Sequence, residues 1–240
     1  MPIKILDYES WLGKWPLQPF MEKLDELKPQ ELKGTKRYVL VLMEFRVLIS
    51  DILSFFRYIG AILKRLNDNT LKCLEPDLTP KRGKEFPFGV ISLMNIDLIS
   101  FVLFARILMD KISPLLSKIV VGGDKPSKNR FNDWRKKIDK YEGNGLEELK
   151  KIICNANWFD ELKNLRDDYV VHHGLFFHNI VFADSKLGFQ LRSQLKKEEV
   201  FLSIEKVKEV SQNIFQFLEE LNKFLCDKID LLPIEINKIE

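Results

Sequence analysis

The stretch Val39–Phe56, VLVLMEFRVLISDILSFF, decides the fold. Between Val39 and Ile49 nearly every position is apolar, the pattern of a helix buried all round. Past it the apolar residues narrow to one face, through Ile52, Leu53, Phe56, Ile59 and Leu63. Glu44, Arg46 and Asp51 interrupt the run. Charges at mid-span are costly in lipid, so the stretch reads as the central helix of a soluble core. From Lys36 to about Asn67 there is no proline and one glycine, Gly60, which predicts one long helix.

On the N-terminal side, residues 1–34 mix aromatics and prolines (Trp11, Trp15, Pro16, Pro19 and Phe20) with a short amphipathic piece, Met21–Lys33. They read as an arm packed on the body. Gly34 and Thr35 break it from the long helix. On the C-terminal side, Pro76, Pro80, Gly83, Pro87 and Gly89 mark 68–90 as a long connection. A second long helix is expected over Ile96–Val121, stopped by Gly122 and Gly123. It is strongly apolar but carries Asp97 and Arg106, and again reads as a buried helix. Arg106 and Asp110, four apart, suit an intrahelical ion pair.

Leu146–Ile153 and Trp158–His172 read as two further helical pieces or one bent helix. After Gly174 the period changes. Phe176, Phe177, Ile180, Val181 and Phe182, then Gly188 to Leu191, predict two short strands joined around Asp184–Leu187. Ser203 caps a last helix whose apolar positions run from Ile204 through Val207, Val210, Ile214, Leu218 and Leu221 to Leu225. The expected fold is mainly α: a bundle of four to five long helices in a single domain, 1–240, with a small two-stranded β-hairpin insert before the last helix.

Composition narrows the class. The 240 residues are 45% hydrophobic and 30% charged, which suits a packed globular chain rather than a disordered one. The net charge of +3 is too small to mark a nucleic-acid binder by itself, though a local patch can sit inside a balanced total. Cys73, Cys154 and Cys226 are odd in number and lack C-x-x-C spacing, so they fit a reducing compartment. Met1–Asp7 has no apolar signal core. The expected location is cytoplasmic, with no membrane partner. No phosphate-binding glycine loop or nucleophile elbow is present, and no cofactor is implied.

The polar residues able to do chemistry gather at 166–174: Arg166, Asp167, Asp168, Tyr169, Val170, Val171, His172, His173 and Gly174. All three histidines of the chain, with His178, fall in this neighbourhood. Histidine exchanges protons near neutral pH. At about 100° per residue in an α-helix, Arg166 and His173 align, while His172 is offset by about a third of a turn. Asp168 and His172, at i and i+4, share a face, so Asp168 can orient the imidazole. The same residues also read as a solvated helix end, with histidines favoured by the helix dipole. Asp168, His172 and His178 would be a weak metal set, lacking any paired-histidine motif, and no metal site is expected. A basic stretch, Lys128, Arg130, Arg135, Lys136, Lys137 and Lys140, has Phe131 and Trp134 between its charges. Lys128, Arg130, Trp134, Arg135 and Lys136 are the candidates to follow an RNA backbone and stack a base. A solvated helix face with two buried aromatics is the alternative.

The run R-D-D-Y-V-V-H-H-G resembles the signature of HEPN (higher eukaryotes and prokaryotes nucleotide-binding) domains: an arginine, four to six intervening residues of which the first is often polar, and then a histidine. The resemblance covers about residues 92–228. It departs from the commonest family pattern in its spacing of five residues to His172 rather than four, its doubled histidine and its strand-like insert. The resemblance implies a helical bundle that dimerises with its motif helices facing each other. It further implies a metal-independent endoribonuclease of prokaryotic defence or toxin–antitoxin systems, with RNA as substrate and an antitoxin or defence-system protein as partner. On that expectation Arg166 stabilises the transition state, and His172 or His173 moves the proton. Asp167 or Asp168 orients them, and Tyr169 lines the cleft. The competing expectation is a non-catalytic HEPN-like module that dimerises or binds a nucleotide or RNA.

Overall fold

A computed structural model describes residues 6–26, 36–74, 88–121, 130–142, 145–171, 179–183, 186–193 and 198–228. The order is α1 (Glu9–Gly13), α2 (Gln18–Glu26), α3 (Lys36–Leu74), α4 (Phe88–Val121), α5 (Phe131–Lys137), a 3-10 turn, α6 (Leu146–Cys154) and α7 (Trp158–Asn164). A π-helical turn (Leu165–Val171), β1 (Asn179–Ala183), β2 (Lys186–Ser193), β3 (Glu198–Ser203) and α8 (Ile204–Asp227) follow. The chain is mainly helical with a small sheet before the last helix, as its periodicity predicts. Three helices are long (α3, α4 and α8) and the rest are short.

Three boundaries differ from expectation. First, α3 continues through the polar residues 68–74. Their side chains bond without breaking the helix: Lys64 pairs with Asp68 at 2.8 Å, and Thr70 Oγ1 donates to the Leu66 carbonyl at 2.7 Å. Second, α4 begins at Phe88, directly after Pro87. Third, the insert has three strands among the described residues. Order β1-β2-β3 is antiparallel throughout, with Phe189 opposite Leu202 and Leu191 opposite Val200. The expected strand residues Phe176 and Phe177, and the turn residues Asp184 and Ser185, lie outside the described residues.

The chain groups into two compact units. The first comprises residues 1–14, 56–106 and 158–214. In it the N-terminal segment packs on α3. The Trp11 indole stacks on Phe56, 4.4 Å between centroids, and the Leu6 N–H donates to the buried Asn67 Oδ1 at 3.0 Å. Gly60 permits this approach, because a Cβ there would lie 2.9 Å from the Trp11 Cβ. α4 contributes Met94, Leu98, Phe101, Val102 and Ala105 to the core. Asp97, also buried, accepts from Arg65 Nη2 at 2.6 Å and Nε at 3.0 Å. Arg106, 4% exposed, lies over the Phe159 ring of α7 at 4.7 Å.

The second unit comprises residues 15–55, 107–157 and 215–240. Phe20 meets Phe45 edge-on, and its N–H donates to Asn222 Oδ1 at 3.2 Å. Lys118 pairs with Glu44, and Lys111 with Asp51 at 2.7 Å. Asp110 accepts the Phe131 N–H at 3.3 Å, and Phe131 packs edge-on against Phe217. Within the expected all-round apolar stretch, Phe45 and Ile49 are buried, but Met43 is 56% and Val47 63% exposed. That part of α3 buries one face, not its whole circumference. By length and composition α4 could cross a bilayer over Gly89–Val121. A core helix passes the same test, and α4 buries apolar side chains in both units.

Candidate functional site

Leu165–Val171 winds as a π-helix, whereas α7 just before it is an α-helix. Closure from i to i+5 widens the turn and changes which side chains share a face, and such turns are frequent at functional sites. The α-helical phase that aligned Arg166 with His173 therefore does not hold across this segment. His172, His173 and His178 lie outside the described residues. The weak metal set of Asp168, His172 and His178 shares that limit.

The described motif residues are placed as follows. Arg166 and Asp167 are half-buried neighbours with Nε and Oδ1 3.1 Å apart. Both atoms are buried and have no hydrogen-bond partner among the described residues, so the contact is an ion pair without hydrogen-bond alignment. Asp168 is half-buried. Tyr169 is 6% exposed and turned inward, where it lines a concavity of about 570 Å³.

That concavity belongs wholly to the first unit. Glu161 and Leu165 line it from α7 and the π-turn, Lys186 and Phe201 from the sheet, and Lys206 from α8. α8 starts there because the Ser203 hydroxyl accepts the Lys206 N–H at 3.1 Å, the cap expected from the sequence. One turn into the helix the Lys206 ammonium meets Glu161 at 2.8 Å and Glu209 at 3.0 Å. The hydrogen bond to Glu161 is the main cause that holds the Lys206 pKa above the usual lysine value. The Phe201 ring lies against Gly188, where a Cβ would come within 2.6 Å of its carbons. The wall of the concavity thus depends on a missing side chain. None of Glu161, Lys186, Phe201 or Lys206 stood out in the sequence. Each is an ordinary residue of an amphipathic element, and only tertiary packing brings them together.

The basic stretch lies in the second unit and divides. Lys128 is outside the described residues. Arg130 and Lys136 are exposed. Arg135 is half-buried, with Nη2 3.4 Å from Asn157 Oδ1. Trp134 corrects the expectation of a stacking platform. Its indole is fully buried, with the Tyr141 ring 5.3 Å away, and it cannot receive a base. Phe131 is equally buried.

No model of a known protein family matches the sequence, and no curated protein or solved structure is detectably similar to it.

Proposed function

We propose that the chain is a HEPN-like, metal-independent endoribonuclease acting through Arg166 and His172, with His173 as the alternative base. The observation that carries the reading is the π-helical turn. It holds the half-buried Arg166 beside Asp167, its Leu165 and Tyr169 line a concavity, and the two histidines follow it in the sequence. In the proposed reaction a neutral histidine takes the proton of a ribose 2′-hydroxyl. The 2′-oxygen bonds to the adjacent phosphorus, the bond from phosphorus to the 5′-oxygen breaks, and the leaving oxygen takes up a proton. The products are a 2′,3′-cyclic phosphate and a 5′-hydroxyl. Arg166 would turn from Asp167 to the non-bridging oxygens, where a guanidinium donates paired hydrogen bonds to the growing charge. A homodimer with facing motif helices would bring two such sets to one cleft.

Purified protein is incubated with total RNA in EDTA, beside Arg166→Ala and His172→Ala. The wild type is expected to leave cyclic-phosphate ends. Each substitution should slow cleavage by about 100-fold or more, as removal of one stabilising donor or one proton-transfer group does. Wild-type protein inert towards single- and double-stranded RNA sinks the reading. A second reading, a module that binds RNA without cutting it, is favoured by the Arg166–Asp167 pair, since Asp167 already offsets the arginine's charge. It expects RNA retention that Arg166→Ala weakens, with no cleavage by the wild type.

A further inference from the structure

The concavity beside the π-turn has a recognition chemistry that the cleavage reaction does not require. Its volume of about 570 Å³ is ample for one nucleotide. One wall is apolar and planar: the Phe201 ring, 36% exposed, with Leu165 also on the lining. The polar lining is a carboxylate and an ammonium side by side, Glu161 and Lys206, 2.8 Å apart, with Glu209, outside the lining, also holding the ammonium at 3.0 Å. Glu161 is 51% exposed at its side chain, so its carboxylate remains open to a ligand. Lys186, exposed, stands on the same lining.

A carboxylate beside an ammonium offers two acceptors and then a donor. Among the RNA bases guanine matches this best. Its N1–H and exocyclic amine donate to one carboxylate, and its O6 accepts from the ammonium. Adenine and cytosine each present a single donating amine beside an acceptor, and uracil a single ring N–H. Bases of single-stranded RNA are read in this way, stacked on an aromatic ring and bonded along the Watson–Crick edge. We propose that this concavity binds one guanine of an RNA strand, stacked on Phe201 and read by Glu161 and Lys206, with Lys186 meeting a flanking phosphate. The proposal rests on the ribonuclease reading for RNA as the ligand, and it adds base selectivity to that site.

The test uses the full chain carrying Arg166→Ala, so that binding is measured apart from cleavage. GMP, AMP, CMP and UMP are titrated by calorimetry. GMP is expected to bind about 10-fold or more tighter than the others, a difference of about 1.4 kcal/mol. Glu161→Gln, at an exposed position, should abolish that preference, because an amide cannot accept from both guanine donors. Phe201→Ala should weaken all four nucleotides together. Equal binding of the four, no binding of any, or a GMP preference untouched by Glu161→Gln overturns the proposal. Cleavage mapping with the wild type separates the two claims. Tight GMP binding with RNA left intact removes the ribonuclease reading and keeps the guanine site. RNA cut with no preference for guanine, alongside equal nucleotide binding, does the reverse.

Discussion

Cys73 shows how far burial alone sets a residue's chemistry. Its sulfur lies 3.6 Å from the Met94 sulfur, its side chain is 1% exposed, and loss of solvent pushes the thiol up to about 11. At neutral pH only about one molecule in ten thousand then carries the reactive thiolate. Cys154 and Cys226 are half-buried and also raised, again chiefly by burial. Iodoacetamide at pH 7 should therefore label Cys154 and Cys226 first and reach Cys73 only after denaturation. Mass spectrometry finding Cys73 labelled in the native protein as fast as the other two would contradict this. Trp134 carries the same lesson. Among charged neighbours in the sequence it resembles a stacking residue, but its indole completes a core, with no hydrogen-bond partner for Nε1 among the described residues. Arg166 is the motif residue whose surroundings were least legible. Adjacency to Asp167 is plain in the sequence, but their ion pair depends on the winding of the turn between α7 and β1.

At the scale of elements, the three-stranded sheet positions the candidate site. β3 escapes sequence reading because its exposed and buried residues do not alternate cleanly: Val200 and Phe201 are both partly exposed, and Leu202 is buried. Its pairing with β2 defines it as a strand. Gly188 is a close-approach position of that pairing. A Cβ there would stand 2.6 Å from the Leu202 carbonyl oxygen as well as from the Phe201 ring. The ring can swing aside, but the carbonyl belongs to the neighbouring strand's backbone. Gly188→Ala is expected to destabilise the protein by about 1–3 kcal/mol, the usual cost of overpacking. A urea midpoint unchanged from wild type would refute the close approach. The helix ends were easier to read. Ser203 opens α8 with its side-chain cap, because capping is a local interaction within one turn.

At the scale of the molecule, stability depends on which charges the two units bury. Asp97 is 3% exposed, and burial is the largest influence on its carboxyl. It raises the pKa above 3.8, and Arg65 only partly opposes it. The sign follows from proton linkage. Below both pKa values the folded and unfolded chains hold the same proton. Between 3.8 and the raised folded value the folded chain binds more, so this group favours folding more at acid pH than at neutral pH. The wild type should therefore gain stability relative to Asp97→Asn as pH falls from 7 towards 4. Paired urea titrations at the two pH values measure the difference. A constant gap would mean that Arg65 balances burial, and one moving the other way that Arg65 outweighs it.

The sequence by itself determined the mainly helical class, the last helix with its cap, the strand-like insert before it and the polar cluster at 166–173. Those features follow from periodicity and neighbour chemistry within a few residues. Tertiary structure alone decided that α3 runs on through its polar end, that Met43 and Val47 face outward, and that Trp134 is core. It also wound Leu165–Val171 as a π-helix and set Glu161, Phe201 and Lys206 around one concavity. Local pattern can mark a face as apolar, but only the packed chain decides what covers that face. A concavity assembled from α7, β3 and α8 has no signature in any one of them.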